Sequence, residues 1–160
     1  MKKTNAMRIL DGAKIKYKCL EYEDNTDHKL ELGAAGLTAK KLGIEASSVF
    51  KTIVMRTDSK EVVVFCLSAE DEVNLKKARQ LTGAKEISSV KPDELLGLTG
   101  YVRGGCCPIG MKKKYRTFID EKAFLQDCIH ISAGIRGQQL ELNPQDLLKV
   151  CDAQRADIIL

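Results

Sequence analysis

The sequence holds only two histidines, His28 and His130, and has neither a G-x-S-x-G elbow nor an H-E-x-x-H helix. Those absences exclude the α/β-hydrolase nucleophile and the zinc-protease base. Its six cysteines include no C-x-x-C pair, which argues against a structural zinc site and any bound metal. No stretch approaches the roughly 18 consecutive apolar residues of a membrane span. The basic start, Met1 to Leu10, lacks the apolar segment of a secretory signal. A cytoplasmic location with no membrane partner is therefore expected. Aromatic residues are only 5% of the chain, and near its basic stretches Tyr101 and Tyr115 are the candidates for stacking. No linker, internal repeat or low-complexity segment is present.

What remains is a chain of 160 residues, 44% apolar and 30% charged, the size and composition of one globular domain. The net charge of +4 is compatible with a polyanionic partner without requiring one. Cys19, Cys66, Cys128 and Cys151 each stand in an apolar run, where free cysteine serves as a small hydrophobe. Adjacent Cys106 and Cys107 read more readily as small residues of a tight loop than as a metal or disulfide pair.

The pattern predicts helices over Thr4–Asp11, Glu31–Leu42 (weakened by Gly33 and Gly36), Asn74 to Gly83, Pro92–Leu98 and the segment after Asn143. Leu75, Ala78 and Leu81 or Thr82 form the expected inner face of the third. Leu147, Leu148 and Cys151 do the same for the last. Strands are expected at Ile15–Tyr22, Phe50–Thr57, Glu61–Leu67, Arg116–Ile119, Cys128–Ser132 and Gln138–Leu142, with Asp58-Ser59-Lys60 as a hairpin turn. Val62 to Phe65 suits a strand covered on both faces. The sum is an α+β fold, a mixed sheet with helices around it.

Two glycine-rich segments stand out. Gly104-Gly105-Cys106-Cys107-Pro108-Ile109-Gly110 and Ser132-Ala133-Gly134-Ile135-Arg136-Gly137 let backbone amides approach a ligand closely, and an oxyanion or a phosphate would suit them. A tight hairpin or bulge has the same composition. Lys51, between Phe50 and Ile53, either carries its ammonium outward, the commoner placement, or points it into a cleft as a point charge. Ser132 has no evident base, since His130 lies two residues away on the same strand face. Lys112, Lys113, Lys114 and Arg116 directly follow the first glycine loop. Lys40-Lys41 and Lys76-Lys77-Arg79 read as solvated faces.

Taken in order, Val49-Phe50-Lys51-Thr52, Leu98-Thr99-Gly100-Tyr101, the two glycine loops and Pro144-Gln145-Asp146-Leu147 resemble the YbaK-type aminoacyl-tRNA deacylases. These are free-standing relatives of the editing domain of bacterial prolyl-tRNA synthetases. The resemblance spans nearly the whole chain. It implies a single compact domain over residues 1–160 with a mixed, partly closed sheet surrounded by helices. It implies hydrolysis of mischarged aminoacyl-tRNA, above all Cys-tRNA(Pro), without a cofactor. The acceptor end of tRNA is then the partner, with prolyl-tRNA synthetase a candidate second one. Lys51 falls on the family's functional lysine. Gly104, Gly105, Cys107 and Pro108 fall on one pocket loop, Ser132 and Gly134 on another, and Tyr22 on a pocket tyrosine. Two departures stand out. Ser-Ala-Gly-Ile-Arg-Gly replaces the commoner Ser-Gly-Gly-Lys-Arg-Gly, and Cys107 stands where serine is frequent. The rival readings are a non-catalytic module holding an aminoacyl or nucleotide ligand beside a synthetase, and thiol redox or metal chemistry at Cys106 and Cys107.

Overall fold

The computed structural model describes residues 3–23 and 34–160. Helix α1 (Asn5–Gly12) starts where Thr4 accepts a hydrogen bond from the Met7 amide, and it buries Ala6, Met7 and Leu10 on one stripe. Strand β1 (Lys18–Glu21) is shorter than the expected Ile15–Tyr22. The chain is still leaving the helix there: the Ile15 amide donates to Leu10 and Lys14 has φ 59°. Helix α2 is Ala34–Leu42, and residues 31–33 of the expected helix, like His28, lie outside the described residues.

Strands β2 (Phe50–Thr57) and β3 (Val62–Ser68) form the predicted hairpin. Lys60 takes a positive φ at its tip, and the Asp58 carboxylate accepts from the Lys85 and Glu86 amides. Strand β3 is covered on both faces, as its apolar run predicts. Val63, Phe65 and Leu67 face one cluster with Phe118 and Ile158, while Val64 and Cys66 face the larger one.

Helix α3 (Leu75–Thr82) is capped by Asn74 and stopped by Gly83 at φ 75°. Of its predicted inner face only Ala78 is buried, and Leu75 is exposed. Strand β4 (Ile87–Ser89), helix α4 (Pro92–Thr99), β5 (Arg116–Asp120), β6 (Ile129–Ser132), β7 (Gln138–Leu142), α5 (Pro144–Val150) and β8 (Gln154–Ala156) complete the order. The three-residue strands β4 and β8 were not anticipated.

The mixed sheet is in two pieces and does not close. One is the antiparallel set β1-β7-β6; the other has the order β4-β2-β3-β5-β8, with β3–β5 and β5–β8 parallel. Among the described residues, a single parallel bridge, Val49 to His130, joins them. The larger core cluster draws on both sheets, with Phe50 and Val54 from one and Ile129, Ile131 and Leu140 from the other. Both glycine loops emerge beside it. The first runs from α4 to β5, and the second joins β6 to β7.

Candidate active site at the two glycine loops

The second loop is set by its own backbone. The Ser132 hydroxyl accepts from the Gly134 amide at 3.2 Å, and the Ala133 amide donates to Gln138. Gly134 lies at φ 104°, a conformation that glycine alone adopts without strain. Its bareness is also needed for packing, because a Cβ there would lie 3.0 Å from the Tyr101 ring. Tyr101 is buried, and its hydroxyl donates to the Ile109 carbonyl of the first loop. Burial pushes that phenol up from its ordinary value. The ring is thus a pin between the two loops and is not a surface for base stacking.

The loops also touch directly. A Cβ at Gly105 would lie 3.2 Å from the Arg136 nitrogen and from two backbone atoms of Ile135. Gly105 is therefore brought against Ile135 and Arg136 of the second loop. The Tyr22 amide donates to Gly137 at 2.9 Å, and its hydroxyl accepts from Thr38 of α2 at 3.4 Å, so Tyr22 joins the same group.

Lys51 enters through strand register. From the parallel Val49–His130 bridge, two residues further along each strand come Lys51 and Ser132. Phe50 and Val54 take the opposite face of β2 into the core. The Lys51 ammonium is 3.4 Å from Glu72, whose side chain is 69% exposed against 22% for the lysine. So solvated an ion pair holds the lysine only weakly.

The cysteines of the first loop do not face the site. Cys107 is fully buried and Cys106 nearly so. Burial pushes the Cys106 thiol up to about 12 and the Cys107 thiol well above its usual range. Cys107 can offer a ligand only backbone. Ala133, the added methyl of the second loop, likewise packs into the core, whereas Ile135 is exposed. Among the described residues, no group of three or more His, Cys, Asp or Glu side chains forms a metal-binding arrangement.

His130 is no base for Ser132. Its Nδ1 meets the Ser48 hydroxyl at 3.0 Å and its Nε2 meets the Glu141 carboxylate at 3.0 Å. Sequence reasoning missed this row and the Tyr101 pin. The alternation of Ile129-His130-Ile131-Ser132 sets the ring's face, but nothing in it signals a partner 82 residues away. The basic stretch after the first loop is partly neutralised, Arg116 by Glu61 and Lys114 by Asp152. A separate hollow of about 280 Å3 lies behind the first loop, between Ile9, Met111, Tyr115 and Cys151. It shares Pro108 with the site but none of Lys51, Ser132, Gly134 or Tyr22, so we place the chemistry at the loops.

Among the described residues this arrangement brings two glycine loops together near the lysine of β2, while the His130 ring is engaged elsewhere. Residues 34–150 match the family described as the aminoacyl-tRNA editing domain. An Enterococcus faecalis protein named "Putative Cys-tRNA(Pro)/Cys-tRNA(Cys) deacylase EbsC" is 39% identical over 98% of this chain and 93% of its own length. A proline–tRNA ligase from Acidithiobacillus ferrooxidans is 34% identical over 39% of this chain and 11% of its own. The fold matches the crystal structure of "a putative trans-editing enzyme for prolyl tRNA synthetase", with TM-score 0.81, 22% identity and 99% of each chain covered. The chain belongs to the aminoacyl-tRNA editing domain family.

Proposed function

We propose that this protein deacylates mischarged tRNA in trans, with Cys-tRNA(Pro) as its preferred substrate. The observation that carries this reading is the packing of the two glycine loops, directly at Gly105 and through the Tyr101 ring at Gly134, in a chain of the editing family. The name of the Enterococcus relative supports the cysteinyl ester as the substrate.

The proposed chemistry uses the substrate's own thiol. The cysteinyl thiol attacks its own ester carbonyl. The S–C bond forms, the C–O bond to the terminal ribose breaks, and the thiol proton passes to the leaving ribose oxygen. Free tRNA and a thiolactone result, and water opens the thiolactone to cysteine. Lys51 faces the oxyanion that develops on the carbonyl. Orientation of such an intramolecular step contributes roughly 7–11 kcal/mol. One well-placed oxyanion donor contributes about 2.7–4 kcal/mol.

The test is release of amino acid from Cys-tRNA(Pro), Cys-tRNA(Cys), Ala-tRNA(Pro) and Pro-tRNA(Pro) by wild type and Lys51→Ala. The expected result is fast loss of cysteine, proline spared, and a fall of about a hundredfold or more in Lys51→Ala with its fold intact. Near-normal turnover in that variant would remove Lys51 from its role. No release by the wild type from any of the four would favour a non-catalytic binding module.

A further inference from the structure

Among the described residues, the two sheets of this fold are joined by one backbone bridge, Val49 to His130. Lys51 and Ser132 lie on opposite sides of it, each two residues beyond the bridge. A lone bridge is a weak clamp for two strands that must be held at fixed spacing. Side chains supply the rest. Ser48 precedes Val49, and its hydroxyl lies 3.0 Å from His130 Nδ1 and 2.7 Å from the Glu45 carbonyl. The far side of the ring, Nε2, lies 3.0 Å from Glu141 Oε2 on β7. The row therefore runs from the turn before β2, across β6, to β7. Ser48 and His130 are 8% and 6% exposed. Glu141 stands at the water-facing end, opposite Lys18 on β1.

Serine, histidine and glutamate in this order resemble a nucleophile with its base and orienting acid. The geometry excludes that use. The Ser48 hydroxyl is buried and engaged by the Glu45 carbonyl, and no open face is left for an acyl group to approach it. What the row does is fix spacing.

We propose that Ser48, His130 and Glu141 are positioning residues for editing, holding β2 against β6 so that Lys51 stands in register with Ser132. This rests on the deacylase reading above. Misplacement of a reacting group by about 1 Å is enough to lower turnover up to about a hundredfold. Loss of the row should therefore act on kcat while leaving the grip on the tRNA, and so KM, in place.

The experiment measures kcat and KM for cysteine release from Cys-tRNA(Pro), together with thermal midpoints. The variants are His130→Phe, Ser48→Ala, Ser48→Thr, Glu141→Ala and Glu141→Gln, beside wild type and Lys51→Ala. The expected result is a roughly tenfold fall in kcat for His130→Phe and Ser48→Ala, with KM unchanged. Ser48→Thr and Glu141→Gln keep a hydroxyl and an acceptor, and both should restore most of the rate lost in the alanine variants. The double variant of Ser48→Ala with His130→Phe should be no slower than His130→Phe alone, because one row is broken once. Folded His130→Phe with wild-type kcat would overturn the proposal, and so would a fall in all five variants without rescue. If His130→Phe does not fold, the two Ser48 variants decide, since they leave the ring in place. An inactive wild type would instead overturn the deacylase reading, which the Lys51 arm keeps distinct.

Discussion

At the scale of single residues, the cysteines separate into three kinds. Cys66, Cys106 and Cys107 are buried, Cys19 and Cys151 are half-buried, and Cys128 is exposed. An apolar neighbourhood in sequence foretold the buried character of Cys66. It misled for Cys128, which lies just before β6 begins, where the chain is still at the surface. With Ellman's reagent at pH 8, Cys128 should react within seconds and Cys66, Cys106 and Cys107 only on unfolding. Rapid labelling of Cys107 would revive the redox reading. Burial also sets a pH dependence. The Cys106 and Cys151 thiols are pushed up to about 12, so the folded state keeps protons that the unfolded chain gives up in the usual thiol range. Their contribution to stability is whole below that range and is lost as pH rises from it to about 12. Thermal midpoints should fall across that window, and less steeply in Cys106→Ala. Cys107→Ser, which leaves the loop backbone in place, should retain most deacylation.

At the scale of elements, the glycine loops were legible as loops because glycine at such density has few other uses. Their mutual contact was not, since Gly134 meets a tyrosine 33 residues earlier in the chain. The hairpin of β2 and β3 and the caps at Asn74 and Asn143 were readable from local pattern alone, whereas Thr4, expected inside the first helix, is its cap. Strands β4 and β8 were not, because each owes its pairing to a longer neighbour and not to its own three residues. The loop contact makes a sharp prediction. Gly134→Ala meets backbone strain at φ 104° and a Cβ 3.0 Å from the Tyr101 ring, together about 1–3 kcal/mol. Thermal unfolding should drop by several degrees, and turnover should fall at least tenfold as the loops part. Gly12→Ala is the matched control. Its Cβ would meet nothing within 4 Å, and its rate and midpoint should stay at or above wild type. Equal losses in both variants would mean that the loop contact has no special place in the site.

At the scale of the whole molecule, the order of motifs foretold an α+β fold, while the break into two sheets depended on pairing that no single segment encodes. Charge is the property that acts over the whole surface. A net +4 is small, and several of its cations are engaged internally: Arg116 with Glu61, Lys114 with Asp152, Lys77 with Asp157 and Lys122 with Asp71. Beside the first loop, Arg103, Lys112 and Lys113 take part in no ion pair among the described residues, and the Lys112 stem lies against Gly100. If these three are what meets the phosphates of an acceptor end, the footprint is small. Each phosphate contributes a slope of about −0.7 to −0.9 in a plot of log affinity against log salt, so three give roughly −2 to −3. The measurement is kcat/KM for Cys-tRNA(Pro) between 50 and 200 mM salt, with kcat expected to stay level while KM rises. Replacing Lys112 and Lys113 with alanine should flatten the slope by about 2 without changing kcat. A wild-type slope steeper than about −5 would require a tRNA surface well beyond the first loop. A slope near zero would mean that the aminoacyl end alone is held, leaving the choice of tRNA to whatever delivers it.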